Sequence, residues 1–185
     1  LGGLAEVTDL GIVPDRQEAL AGAIARARGA DLLVTIGGAS AGDHDLVKPA
    51  LEAAGATLDF WRIALQPGKP LMAGRLGDGI VVGLPGNPVS AFVCARLFLV
   101  PLLRRMAGDP APEDHYGTAV TAVELPANGI RRQFLRAVVR EGVVTPAAAQ
   151  DSSMLSVLAG ANALLMRPEQ APAAPAGTTV PVLTL

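Results

Sequence analysis

The apolar positions change period several times along the first hundred residues, and each change marks an element. Ala5 to Leu10 is short and partly alternating, which predicts a strand. After Gly11-Ile12-Val13-Pro14, the run Asp15-Arg16-Gln17-Glu18 places a capping residue three positions before a Glu, so a helix is predicted from Asp15. Leu20, Ala23, Ile24 and Ala27 then recur at helical spacing, with Arg16, Glu18 and Arg26 left for solvent and Gly29 as the stop. Asp31 to Ile36 is apolar and β-prone and runs into Gly37-Gly38, the pattern of a buried parallel strand entering a ligand-binding turn. The loop Gly37 to Asp45 opens a second helix, with Asp45 as its cap, Pro49 in its first turn and Gly55 at its end.

From Ala56 the pattern is strand-like through Phe60, Trp61 and Ile63, and two more strands flank the turn Gly77-Asp78-Gly79. The second ends in Leu84-Pro85-Gly86-Asn87-Pro88. Asn87 is placed as N-cap and Pro88 as first helical residue of a long helix that runs to Gly108 with a kink near Pro101. Asp109-Pro110-Ala111-Pro112-Glu113 is stiff and polar, and beyond it helical periodicity gives way to short β-prone runs. The predicted organisation is an α/β region over 1–108, a linker over 109–114 and a β-rich region over 115–185. Strands are expected at Thr118 to Leu125, Phe134 to Arg140, Val143 to Pro146, Ala163 to Arg167 and Thr179 to Leu183, as a small barrel or sandwich. Ala171 to Gly177 is a loop of low complexity.

Composition narrows the class. Half of the 185 residues are hydrophobic but only 3% are aromatic, so the core is built of small aliphatic side chains around closely approaching backbone. The formal charge of −2 argues against a general attraction to nucleic acid. The most apolar run, Val89 to Leu103, is shorter than the ~20 residues of a membrane helix and is broken by Arg96 and Pro101. With a single cysteine, Cys94, there is no internal disulfide framework, and a cytoplasmic location is expected. Cys94 is expected to pack in the long helix beside Ala91, Phe92 and Phe98. His44 and His115 are isolated and define no metal site or triad. The sequence starts without Met, and it is expected to begin inside a longer protein.

Two Gly-rich loops at predicted strand ends open helices, the place where open α/β sheets bind ligands. In the first, Gly37, Gly38 and Gly42 let backbone approach an oxyanion and Ser40 adds a hydroxyl. Asp43 and Asp45 would repel such an anion unless a divalent cation lies between, and Mg²⁺ is the economical choice; Asp45 as a simple helix cap explains the same residue without a ligand. In the second, Gly86 and Asn87 form a rigid turn and Ser90 follows in the first helical turn, placed for an oxyanion. Gln66-Pro67-Gly68-Lys69-Pro70 holds one lysine on a stiff turn, as a fixed positive charge or as a solvated side chain. Further on, Arg131, Arg132 and Arg136 surround Phe134, and Gln150-Asp151-Ser152-Ser153-Met154 offers hydroxyls. Together they suit a tetrahedral oxyanion or, taken alone, a solvated strand face.

Taken in order, Thr35-Ile36-Gly37-Gly38-Ala39-Ser40-Ala41-Gly42-Asp43-His44-Asp45, Pro67-Gly68-Lys69-Pro70 and Leu84-Pro85-Gly86-Asn87-Pro88-Val89-Ser90-Ala91 resemble the MoeA and gephyrin family of molybdopterin molybdenumtransferases. Arg131 to Ala137, Ser152 to Ser156 and Ala161 to Leu165 continue the resemblance over nearly the whole chain. It implies a three-layer, MogA-like molybdopterin-binding α/β domain with a mostly parallel sheet, followed by a small C-terminal β-barrel. Two N-terminal domains, and an opening strand with a Gly-Asp-Glu turn, would lie outside this segment.

The implied reaction joins molybdate to adenylylated molybdopterin, with a divalent cation, and releases AMP. By matching position the resemblance implies Asp45, Lys69 and Ser90 as catalytic residues and Asp43 and Asp45 toward the metal. Gly37, Gly38, Ser40, Gly42, Pro70, Gly86, Asn87, Arg131, Arg136, Ser152 and Ser153 would contact substrate, with one of the two serines reaching the oxyanion. Many relatives have Lys-Pro-Gly-Lys where this chain has Gln66 for the first lysine, one positive charge fewer. A homodimer is implied, with the molybdopterin adenylyltransferase and acceptor molybdoenzymes as partners and neither nucleic acid nor membrane among them. The alternatives are an adenylyltransferase-like enzyme, which normally lacks the barrel, and a non-catalytic dimerising or scaffold module.

Overall fold

A computed structural model describes residues 3–38, 46–68 and 70–185, with backbone alone for Phe60, Trp61, Arg62 and Pro70. Ser40, Gly42, Asp43, His44, Asp45 and Lys69 lie outside the described residues.

The first layer is a pair of helices, α1 (Gln17–Arg26) and α2 (Val47–Ala53), and the second a four-stranded sheet. Its strands are β1 (Leu32–Ile36), β2 (Ala56–Arg62), β4 (Pro70–Leu76) and β5 (Gly79–Leu84), in the order β1-β5-β4-β2. The third layer is one continuous helical run, α3 (Pro88–Cys94), a π-helical turn (Ala95–Leu99) and α4 (Val100–Met106). Alternation along β5 separates two cores. Val81 faces Leu20, Ile24, Val47, Ala50, Leu51 and Met72. Val82 and Leu84 face Ala91, Val93, Cys94, Leu99 and Leu103 on the other side.

The sheet is mixed rather than mostly parallel. β1 and β5 are parallel, but β4–β5 and β2–β4 are antiparallel. The cause is the tight Gly77-Asp78 connection, with Gly77 at φ +61, which can only return the chain antiparallel. β1 lies at the edge of this sheet, so it is half-buried and Ile36 is 69% exposed, against the expectation of a buried strand.

Three local expectations fail for visible reasons. No strand forms over Ala5 to Leu10, where the Asp9 carboxylate instead accepts from the Gly11 N–H at 2.7 Å and turns the chain. The Asp15–Glu18 capping box does not form. Arg16 N–H donates to Pro14 C=O at 2.7 Å, which tightens that turn and moves the helix start to Gln17 with Arg16 as cap. The cap of α2 is Leu46, without a side-chain bond, rather than Asp45. In the third layer the deviation near Pro101 takes the form of the π turn before it, since Pro101 has no N–H to continue the α-ladder.

The remaining strands form a closed five-stranded barrel. β6 (Gly117–Thr121), β7 (Arg132–Arg140), β8 (Val143–Pro146), β9 (Ala163–Arg167) and β10 (Thr179–Thr184) run in the order β7-β8-β6-β10-β9, and β9 pairs back to β7. Small and branched side chains fill it: Ala119, Leu125, Ala137, Val144, Leu165, Ala174, Val180 and Val182. On the outside of the barrel, Phe134, Leu164 and Leu183 join the core that lines α3 and α4. A two-residue strand, β3 (Leu65–Gln66), leaves the α/β region to pair in parallel with β7, and a short helix, α5 (Leu155–Ala159), touches α3.

Candidate functional site

Three loops meet where the chain gives up side-chain bulk. β1 and β5 are parallel neighbours and end level, so their following loops emerge together; Gly37 N–H donates to Leu84 C=O at 3.0 Å. A Cβ on Gly86 would lie 3.2 Å from Gly37 Cα, so the two glycine loops touch backbone to backbone. Gly37 and Gly38 adopt φ of +88 and +67, which glycine reaches without strain. In the second loop the Asn87 side chain accepts from Ser90 N–H at 3.0 Å and Pro88 occupies the first helical turn, as the sequence indicates. Ser90 is thereby held, buried, at the start of α3.

The third loop is fixed by Gly68. At φ +118, a Cβ there would stand 2.4 Å from Cys94 Sγ, with Ser90 C=O on the same side. Cys94 is fully buried, and burial pushes its thiol up to about 12, so it stays protonated and donates to Gly68 C=O at 3.7 Å. It packs toward the turn that precedes Lys69 rather than beside Phe92 and Phe98, which are 43% and 39% exposed. The backbone of Pro70 begins β4 directly after this turn.

That turn is also tied to the barrel. Leu65 is in register with Arg132 and Gln66 with Gln133, and Arg132 N–H donates to Ala64 C=O at 3.0 Å. The start of β7 therefore lies beside the strand that feeds Pro67-Gly68-Lys69. Arg131 sits just before β7, half-buried, and its C=O accepts from Asn128 Nδ2 at 2.8 Å; it makes no ion pair among the described residues.

The structure divides the three arginines instead of pooling them. Arg132 is exposed and pairs with Glu169 at 3.3 Å. Arg136 is 1% exposed, so it is no solvated strand face. Its Nη2 donates to Asp151 C=O at 3.3 Å, while Nε and Nη1 have no partner among the described residues, and burial lowers its pKa against a smaller opposing pull from Asp151. Asp151 accepts from the N–H and the hydroxyl of Ser153, which holds its carboxyl below the usual range. Gln150, which the sequence left without a role, binds both main-chain groups of Arg136. Its only signal was its position at the head of the Asp-Ser-Ser turn. No group of three potential metal ligands occurs among the described residues, and the carboxylates of Asp43 and Asp45 fall outside them.

A family model described as a probable molybdopterin binding domain matches residues 3–105. The chain belongs to that family. A second model, the MoeA C-terminal region (domain IV), matches residues 118–185, which contain the barrel. Over 163 residues the chain is 39% identical to molybdopterin molybdenumtransferase 2 of Mycobacterium tuberculosis, covering 84% of this chain and 40% of that protein. It is 43% identical over 104 residues to the molybdopterin molybdenumtransferase of Haemophilus influenzae, covering 56% and 26% respectively. Among solved structures, a molybdopterin biosynthesis MoeA protein from Pyrococcus horikosii superposes with a TM-score of 0.78 at 28% identity, covering 94% of this chain and 42% of that one. The chain thus spans about two fifths of the length of its M. tuberculosis relative.

Proposed function

We propose that this chain carries the part of a molybdopterin molybdenumtransferase that binds adenylylated molybdopterin and molybdate, and that the protein inserts molybdenum with release of AMP. The observation that carries this reading is the convergence of the three loops. Gly37 touches Gly86, Gly68 lies on α3 beside Ser90 and Cys94, and the same turn is strand-paired to the start of β7. Backbone N–H groups, the Ser90 region and a lysine turn on one side, with Arg131 and the Ser152-bearing turn on the barrel, make a donor-rich setting for an oxyanion.

In this reading Lys69, Arg131 and a barrel serine take the molybdate oxygens, while the glycine loops and Ser40 hold the pterin phosphate and its adenylyl group. Asp45, with Asp43, would hold Mg²⁺ against that phosphate, neutralising charge as the phosphoanhydride breaks; this rests on the hardness of the two carboxylates as ligands. Gln66 leaves the lysine turn with one charge, so Arg131, free of an ion pair among the described residues, carries more of the anion's charge. A homodimer in the cytoplasm that receives its substrate from the adenylyltransferase and passes its product to molybdoenzymes belongs to the same proposal. The complete protein should release AMP from adenylylated molybdopterin only when molybdate is supplied. Release without molybdate, or no release, refutes it. The barrel disfavours the adenylyltransferase alternative.

A further inference from the structure

The turn from Gln150 to Met154 has more main-chain support than a surface turn requires. Gln150 acts as a missing strand neighbour for β7: Arg136 N–H donates to its Oε1 at 3.0 Å, and its Nε2 donates to Arg136 C=O and Ala147 C=O, each at 2.9 Å. One residue on, Asp151 C=O accepts from Arg136 Nη2 at 3.3 Å. Asp151 in turn engages the N–H of Ser153 at 2.8 Å and its hydroxyl. Ser153 is thus occupied within the turn. Ser152, half-buried beside it, makes no hydrogen bond among the described residues.

The arginine does something further. Among the described residues, a guanidinium 1% exposed, with Nε and Nη1 unpartnered and only a carbonyl on Nη2, is a buried charge that no bonded carboxylate neutralises. Such a group destabilises the fold, and the methylenes of a Met or Leu would fill the space more favourably. What it provides is a fixed positive potential behind the serine turn, in surroundings that screen it poorly.

We infer that Arg136 and Gln150 are positioning residues that fix the turn and present the Ser152 hydroxyl, rather than Ser153, to the oxyanion; this rests on the molybdate-binding reading above. Neither side chain needs to touch the ligand. Gln150 sets the height of the turn against β7, and Arg136 ties it down and favours negative charge in front of it.

The test is calorimetric titration of the complete protein with sodium molybdate, combined with hydrogen exchange of the Asp151 to Met154 amides. Gln150→Ala should speed that exchange and weaken molybdate about tenfold, the loss expected when one charge-assisted hydrogen bond is misplaced. Ser152→Ala should weaken it comparably without affecting the exchange, and Ser153→Ala should speed the exchange with a smaller loss of affinity. Arg136→Lys should recover part of the affinity that Arg136→Met removes. If Arg136→Met does not fold, the Gln150 and serine variants decide. Folded Gln150→Ala with fast exchange and molybdate affinity within about twofold of wild type overturns the positioning role, as does a larger affinity loss for Ser153→Ala than for Ser152→Ala. Wild-type protein that shows no molybdate binding overturns the functional reading itself, and the positioning role with it.

Discussion

Gly68 and Cys94 show how much of the site is settled by pairs of small residues. A side chain at either position larger than what is present would push the lysine turn off α3, since a Cβ on Gly68 already comes within 2.4 Å of Sγ. The sequence displays Pro-Gly-Lys-Pro plainly, but gives no sign that its glycine faces a cysteine 26 positions on, because burial of that thiol depends on how β3 lies against α3. The thiol's raised pKa has a measurable sign. Unfolded chain ionises near 9.0 while the folded protein holds the proton to about 12, so the contribution is complete below pH 9 and is lost as pH rises between those values. Thermal melts across pH 8 to 10.5 should show a steeper alkaline fall for wild type than for Cys94→Ala; parallel curves would mean that the thiol is not buried as described. Arg136 carries the opposite lesson. Its position on an alternating strand was readable, its burial was not, because the outer face of a barrel strand becomes interior only when another layer covers it.

At the level of elements, the sequence was most informative where a local rule decides the outcome. Asn87 and Pro88 start α3 because the cap and the proline act within one turn, and the strands of the barrel follow their short β-prone runs closely. Asn87→Ala should lower stability by about 1 kcal/mol and loosen Ser90, read as a drop in the denaturation midpoint at unchanged slope; a change below 0.3 kcal/mol would show that the cap does not hold the helix start. Where a tertiary partner decides, the reading failed. Ala5 to Leu10 alternates but no strand pairs with it, and Asp15 is a good cap that the Pro14 turn excludes from the helix. The mixed sheet departs from what the family resemblance implies, and its cause is local: the Gly77-Asp78-Gly79 turn, legible in the sequence, makes β4 and β5 antiparallel.

On the scale of the whole molecule, the proline-rich connection marks a change of architecture without separating two cores. Phe134, Leu164 and Leu183 from the barrel pack with Leu84, Val93 and Leu103 in one buried cluster, and β3 completes the link. Asp114, at the end of the connection, bonds Arg96 of the π turn and Arg104 of α4, and Arg96 reaches Thr184 C=O, so the linker is clasped to the helix beside it. The two regions should therefore unfold together. In native-state hydrogen exchange, the amides of Val82 and Val144 should report the same opening free energy and the same denaturant dependence; protection of one persisting after loss of the other would show two independent units.

The pairing of β3 with β7 also bears on the order of assembly. Leu65-Gln66 and Arg132-Gln133 are far apart in the chain, and contacts of that kind form only after the intervening segments have been drawn together. The two glycine turns and the start of α3 can each be made locally, yet Arg132 is brought beside Leu65 only when β7 pairs with β3. On the proposed function, ligand binding should therefore be acquired late in folding, only after β3 and β7 have paired.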